Sequence, residues 1–144
     1  MITLDELESF VNRGWKMFPV HSIREGACSC GESCGSPGKH PRTYNGFKAA
    51  TDNLEQIKEW FRMYPDANWG LATGQASGVW VLDIDAKGDV SGVDSMRDWT
   101  TENGVKLATL TVASGGGGWH YYFVASESLG NRTNVLPSVD VRRS

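Results

Sequence analysis

Residues 78–85 read GVWVLDID. The run is short, apolar and rich in β-branched and aromatic side chains. Gly78 opens it, and the loop-like AKGD of residues 86–89 follows it. This pattern predicts a buried strand, because a helix needs a longer periodic segment. Side chains alternate along a strand, so Asp83 and Asp85 take one face while Trp80, Leu82 and Ile84 take the other. Two carboxylates at the end of a buried strand repel each other and lose hydration. A divalent cation is the usual compensation. The plain alternative is a pair of acids solvated just past the strand. A lone DxD does not separate the two; other residues converging on the pair would.

The chain has 144 residues, 40% of them hydrophobic and 22% charged, enough for one domain with a core. Its net charge of −3 rules out a global basic field, so any grip on nucleic acid must come from local patches. No apolar run approaches the roughly 20 residues of a membrane span. The N-terminus reads as a polar helix, not a signal peptide. A cytoplasmic location is the resulting expectation. There is no internal repeat, coiled coil or low-complexity tail, and no composition break marks a domain boundary.

From the N-terminus, Thr3 with Glu6 forms a capping box for a helix. Leu4, Leu7, Phe10 and Val11 line its apolar face and Gly14 stops it. Residues 15–20 (WKMFPV) predict a strand that Pro19 places at an edge or ends. Residues 28–42 (CSCGESCGSPGKHPR) are too rich in Gly, Ser and Pro to bury much apolar surface. The three cysteines of the chain all fall here, an odd and clustered set that suits a metal better than disulfides. Cys28, Cys30, Cys34 and His40, spaced CxCx3Cx5H, make a Cys3His set for tetrahedral zinc. Lys39 and Arg42 flank the last of these ligands. Both are candidates for DNA or phosphate contacts, or else plain surface cations. GKHPR is not a P-loop, because GxxxxGK[ST] is missing.

Asp52 with Glu55 predicts a second capped helix, with Leu54, Ile57, Trp60 and Phe61 buried and Pro65 ending it. Residues 69–73 predict a strand, and residues 74–78 a turn that pairs it antiparallel with the DxD strand. A third helix follows, with Val93, Met96 and Thr100 on one face, Asp94 as N-cap and Gly104 as stop. Residues 107–113 and 119–125 predict a hairpin whose tip, residues 114–118, is SGGGG. Four glycines leave backbone N–H groups open to close approach. His120 begins the return strand and shares a face with Tyr122 and Val124. Such a tip can hold a triphosphate through amides and imidazole, or be a flexible turn with an incidental histidine. Residues 139–142 (VDVR) predict a last strand with Asp140 and Arg142 on one face, as cation ligand and phosphate contact or as a simple ion pair.

A Cys/His loop ending GKHPR, LATG before VLDID, SGGGGWHYYF and VDVR occur in this order. Together they resemble the prim-pol domain (bifunctional DNA primase/polymerase) of phage and plasmid replication proteins, in the archaeo-eukaryotic primase superfamily. The match spans nearly the whole chain. The resemblance implies an α+β fold: a primase-like catalytic core with an RRM-like, mostly antiparallel sheet, flanking helices and a small zinc loop at about 28–42. It implies one prim-pol domain over residues 1–144, cut from a longer chain that carries a helicase domain, in the cytoplasm of a bacterial host. It implies DNA primase and polymerase activity, making and extending primers by template-directed nucleotidyl transfer. Asp83, Asp85 and Asp140 match ligands of Mg2+ or Mn2+. His120 matches the nucleotide-contacting histidine. Ser114, Gly115 and Gly116 begin the phosphate loop, and Arg142 stands beside the nucleotide. Cys28, Cys30, Cys34 and His40 match the structural zinc site. The implied partners are a single-stranded DNA template, a primer and nucleoside triphosphates. The four glycines before Trp119 and His120 outnumber those often found in the family. Two other classes fit the same residues: a metal-dependent nuclease, and a non-catalytic single-stranded DNA-binding module built on the zinc loop and aromatics.

Overall fold

The computed structural model describes residues 2–87, 89–114, 116–125 and 130–142. The chain divides into two compact units, Met1–Ala72 and Thr73–Ser144. The architecture is α+β, and every strand pairing among the described residues is antiparallel.

The first unit opens with α1 (Leu4–Val11). The capping box forms as the sequence predicts. The Glu6 N–H donates to Thr3 Oγ1 at 3.2 Å and the Thr3 N–H donates to Glu6 Oε2 at 2.7 Å. Strand β1 (Met17–Val20) pairs with β4 (Asn68–Leu71). Between them lie a two-strand hairpin, β2 (Ile23–Arg24) with β3 (Ala27–Cys28), a 3-10 turn at Gly46–Ala49, and α2 (Leu54–Met63). Leu7, Val11, Met17 and Ile57 form the core, with Phe10, Trp60 and Trp69 packed against it. Pro19 sits fully buried within β1. The other edge of β1 holds the returning chain: the His21 N–H donates to His40 O and the Arg42 N–H donates to Pro19 O, both at 2.9 Å. The loop between residues 21 and 41 is therefore clamped at its two ends.

Two details of this unit differ from the sequence reading. The cap of α2 is Asn53, not Asp52: Asn53 Oδ1 accepts from the Glu55 and Gln56 N–H groups at 3.0 and 3.2 Å. The Thr51 hydroxyl accepts from the Asn53 N–H at 3.1 Å, which sets Asn53 rather than Asp52 at the helix entrance. The strand that includes Trp69 pairs with β1, not with the DxD strand. The turn after it instead closes on the DxD strand, through Gly74 N–H to Val79 O.

The second unit contains β5 (Val79–Ile84), α3 (Gly92–Asn103), β6 (Leu110–Ala113), β7 (Trp119–Val124), β8 (Arg132–Leu136) and β9 (Val139–Arg142). They form one sheet in the order β6-β7-β5-β9-β8. The DxD strand is thus central. On one face Leu82, Ile84, Val139 and Val141 pack with Met96 of α3. Helix α3 starts at Ser91, with no side-chain cap bond, and Asp94 pairs with Arg97 instead of capping. Strand β8 is not predicted from the sequence, since its RTNVL run is exposed and lacks alternation.

Two glycines carry the close approaches of this sheet. A Cβ on Gly92 would lie 2.2 Å from Ser138 O, and one on Gly118 would lie 2.1 Å from Ile84 O. Both obstacles are backbone and cannot swing aside. Gly92→Ala should therefore lower stability by about 1–3 kcal/mol. Gly130→Ala, at a position with open space, should stay within about 0.5 kcal/mol of the parent. In α2, Asn53→Ala should destabilise by about 1 kcal/mol and Asp52→Ala by clearly less. Urea unfolding of the four variants checks all three statements.

Candidate functional site

Two constellations emerge, one in each unit. In the first unit, β2 and β3 turn through Glu25 (φ 49°) and Gly26 (φ 82°), the left-handed pair of a tight hairpin. This delivers Cys28 to the interior. Cys28, Cys30, Cys34 and His40 each place a ligand atom within 4.8 Å of the others. His40 Nε2 lies 3.4 Å from Cys28 Sγ, and the Gly38 N–H donates to the same sulfur at 3.3 Å. Gly38 has φ +68°, and a Cβ there would meet Ile23 at 2.9 Å, so glycine is required for that N–H to reach. Backbone donors from Cys30 and Gly38 pull the Cys28 thiol down to about 6. Burial, followed by the neighbouring sulfurs, pushes Cys34 up to about 11. Three soft sulfurs and one imidazole nitrogen converging on a point are compatible with zinc.

Arg42 does not stand free beside this cluster as the sequence reading allows. Its guanidinium is 10% exposed and lies over the Tyr64 ring, 5.0 Å from the centroid. It donates to Ser29 Oγ at 2.7 Å and to Asp66 Oδ2 at 3.0 Å. Asp66 also accepts from Ser22 Oγ at 2.6 Å and Arg24 Nε at 2.7 Å. Those donors, Arg24 first, hold the Asp66 carboxyl far below the usual carboxylate range. Arg42 is a strut between the metal loop and the segment before β4. Lys39 remains exposed.

In the second unit, the strand register builds the site. Asp83 of β5 lies directly opposite His120 of β7 on one side and Asp140 of β9 on the other. Directly opposed residues share a face, so one row of three functional side chains crosses the sheet on the face away from α3. His120 Nε2 is 3.2 Å from Asp83 Oδ1. Arg142 reaches both acids, with Nη2 donating to Asp140 Oδ2 at 2.5 Å and Nε lying 3.7 Å from Asp83 Oδ2. The acids are three-quarters or more buried. The hydrogen bond from His120 leads the causes that lower the Asp83 pKa. The same bond leads in raising that of His120, with smaller additions from the charges of Asp83 and Asp85. Asp85 follows the strand end and is exposed.

Among the described residues, Cys28, Cys30, Cys34 and His40 are the one set of three or more metal-capable side chains whose ligand atoms converge. The oxygens of Asp83 are turned to His120 and Arg142, and those of Asp140 to Arg142 and the Asn134 N–H. The acids nonetheless make a hard-oxygen donor set of the kind Mg2+ and Mn2+ take. A cation there would share with Arg142 the task of neutralising two largely buried carboxylates.

The glycine tip is more closed than the sequence suggests. The Ser114 N–H donates to Gly118 O, the Gly117 N–H to Ser114 O, and the Gly118 N–H to Ser114 Oγ. Two of the glycine amides are thus used inside the loop. The Ser114 hydroxyl keeps its proton for donation. Gly115 lies outside the described residues. Gly116 sits at the tip and is exposed.

One contributor escapes the sequence reading, and a second is placed on this face by it but given no role. The Asn134 N–H donates to Asp140 Oδ1 at 2.8 Å. Asn134 has φ 50° in an irregular stretch of β8, which frees that N–H from the ladder. Tyr122, one step along the face from His120, has its hydroxyl pKa raised by burial and by the Asp83 charge. Alternation alone places Tyr122 on this face; nothing local marks Asn134.

The family model for the bifunctional DNA primase/polymerase N-terminal domain, Prim-Pol, matches residues 7–144. The chain belongs to this family. Membership of the Prim-Pol family implies DNA primase/polymerase activity, a nucleotidyl transfer, with DNA and nucleotides as substrates. No curated protein and no solved structure matches the chain. Among the described residues of this Prim-Pol chain, no helix is long and apolar enough to cross a membrane.

The Arg42–Asp66 strut makes a pH-dependent prediction. The folded-state pKa of Asp66 is depressed, so its contribution is complete above the unfolded value of about 3.9 and is lost as pH falls toward the folded one. At pH 7, Asp66→Asn should unfold at lower urea than the parent. The gap between the two midpoints should narrow steadily as pH falls below about 4.

Proposed function

We propose that residues 1–144 act as one catalytic domain that makes and extends DNA primers in phage or plasmid replication. The reaction is template-directed nucleotidyl transfer. The primer 3′-oxygen attacks the α-phosphorus of a nucleoside triphosphate, and pyrophosphate leaves. The observation that carries this reading is the row His120–Asp83–Asp140, with Arg142 beside it, on one sheet face.

Asp83, Asp85 and Asp140 would hold two Mg2+ or Mn2+ ions. When bound, these lower the pKa of the attacking hydroxyl and offset charge growing on the α-phosphate. The hydrogen bond to Asp83 raises the pKa of His120, which favours the form that can donate to a phosphate oxygen. Arg142 keeps Asp83 and Asp140 in place and adds positive charge at the edge of the phosphate site. The Ser114 hydroxyl and the Gly116 tip border the same region. No side chain here is required as a covalent nucleophile; the residues act by positioning and electrostatics. Cys28, Cys30, Cys34 and His40 would hold one structural Zn2+, and Lys39 would contact DNA backbone. A helicase domain in a longer parent chain would supply unwound template.

Primer extension with labelled nucleotides tests the assignment. The parent protein should lengthen a primed template, whereas shortening of the DNA would favour a nuclease. Asp83→Ala or Asp140→Ala should remove at least about 100-fold of the extension rate while the protein stays folded by circular dichroism. Undiminished extension by the double variant refutes the reading. Protein purified without added metal should carry about one zinc per chain. Cys34→Ser should lower both that content and the thermal midpoint.

A further inference from the structure

Lys87 follows the DxD pair by two residues in the loop that leaves β5. That loop is pinned on both sides. The Asp85 N–H donates to Ser138 O at 3.0 Å, and the Gly92 N–H donates to Asp85 O at 2.8 Å. Ser138 Oγ donates to Val90 O at 2.8 Å. From this anchored loop Lys87 reaches over the glycine tip of the β6–β7 hairpin. A Cβ built on Gly116 would lie 3.7 Å from Lys87 Cε, 3.9 Å from Nζ and 4.0 Å from Ser114 Oγ. A Cβ on Gly117 would lie 3.7 Å from Ala86 Cβ. The end of the Lys87 side chain thus lies next to Gly116, on the side where a Cβ would project.

The cations of the site differ in what they have left to give. Arg142 is shared between Asp83 and Asp140, and His120 is bonded to Asp83. Among the described residues Lys87 makes no ion pair, and it is exposed. A triphosphate tail entering beside three aspartates needs a positive group that those acids do not already hold. A lysine ammonium has three donors and a long stem, and meets phosphate as a point charge.

We infer that Lys87 is a binding residue for the β- and γ-phosphates of the incoming nucleotide, closing over them from the side of the glycine tip. The inference rests on the nucleotidyl-transfer reading and adds to it the residue that distinguishes a triphosphate from a monophosphate. The sequence reading treats residues 86–89 only as a polar loop.

Calorimetric titration of the full chain with dATP and with dAMP, in Mg2+ and without DNA, tests it. The parent should bind dATP more tightly than dAMP. Lys87→Met should weaken dATP binding about 10- to 100-fold, the size of one charged hydrogen bond. It should leave dAMP binding within about twofold, because only the β- and γ-phosphates are touched. Lys87→Arg should recover most of the loss, and both variants should melt with the parent. Unchanged dATP affinity in Lys87→Met overturns the inference and leaves the nucleotide site standing. Equal weakening of dATP and dAMP also overturns it, since Lys87 would then act through the shape of the loop. A parent chain that binds neither nucleotide overturns the polymerase reading and this inference with it.

Discussion

A largely buried carboxylate in the central strand of a sheet needs positive charge close by, and Asp83 is such a carboxylate. Its neighbours answer that need. β7 brings His120 opposite it, and β9 brings Asp140 opposite it and Arg142 two residues on. Asp140 adds a second negative charge rather than relieving the first, so Arg142 must serve both acids. The result is a dense row of two acids flanked by His120 and Arg142 on one face, with apolar packing on the other. The antiparallel register produces the row: a shift by one residue in β7 or β9 would send His120 or Asp140 to the α3 face.

Close backbone contacts hold the loops around that row. Gly118 lets the β6–β7 tip approach the end of β5, and Gly92 lets the start of α3 lie against Ser138. Ser114 ties the tip to itself through Gly117 and Gly118. Asn134 gives up its place in the β8 ladder and its amide goes to Asp140. These contacts aim the functional side chains without adding any chemistry of their own.

The metal loop of the first unit solves a different problem. Its residues cannot bury enough apolar surface to fold unaided. Two devices hold it: the hydrogen bonds that clamp it to β1, and the convergence of Cys28, Cys30, Cys34 and His40. Arg42, stacked on Tyr64 and bonded to Asp66, braces the same loop from the far side. Its use there explains why a cation next to a ligand motif is not automatically a contact for phosphate.

Much was legible along the chain because it depends on neighbours in sequence. The Thr3–Glu6 cap, the alternation of β5 and β7, the hairpin around SGGGG and the clustered ligands at 28–40 are all local matters. Alternation puts the acids, the histidine and the arginine on short strands as candidates, and their roles come from the resemblance to the prim-pol family. Other features depend on segments far apart in sequence. The β1–β4 pairing, β8 as an added strand, the Asp66 partner of Arg42 and the Asn134 amide on Asp140 arise from long-range packing that no window of residues encodes. The same holds for Lys87 against Gly116. A side chain's type follows from its codon, but what it faces is set by which strands lie side by side, and only the folded sheet settles that.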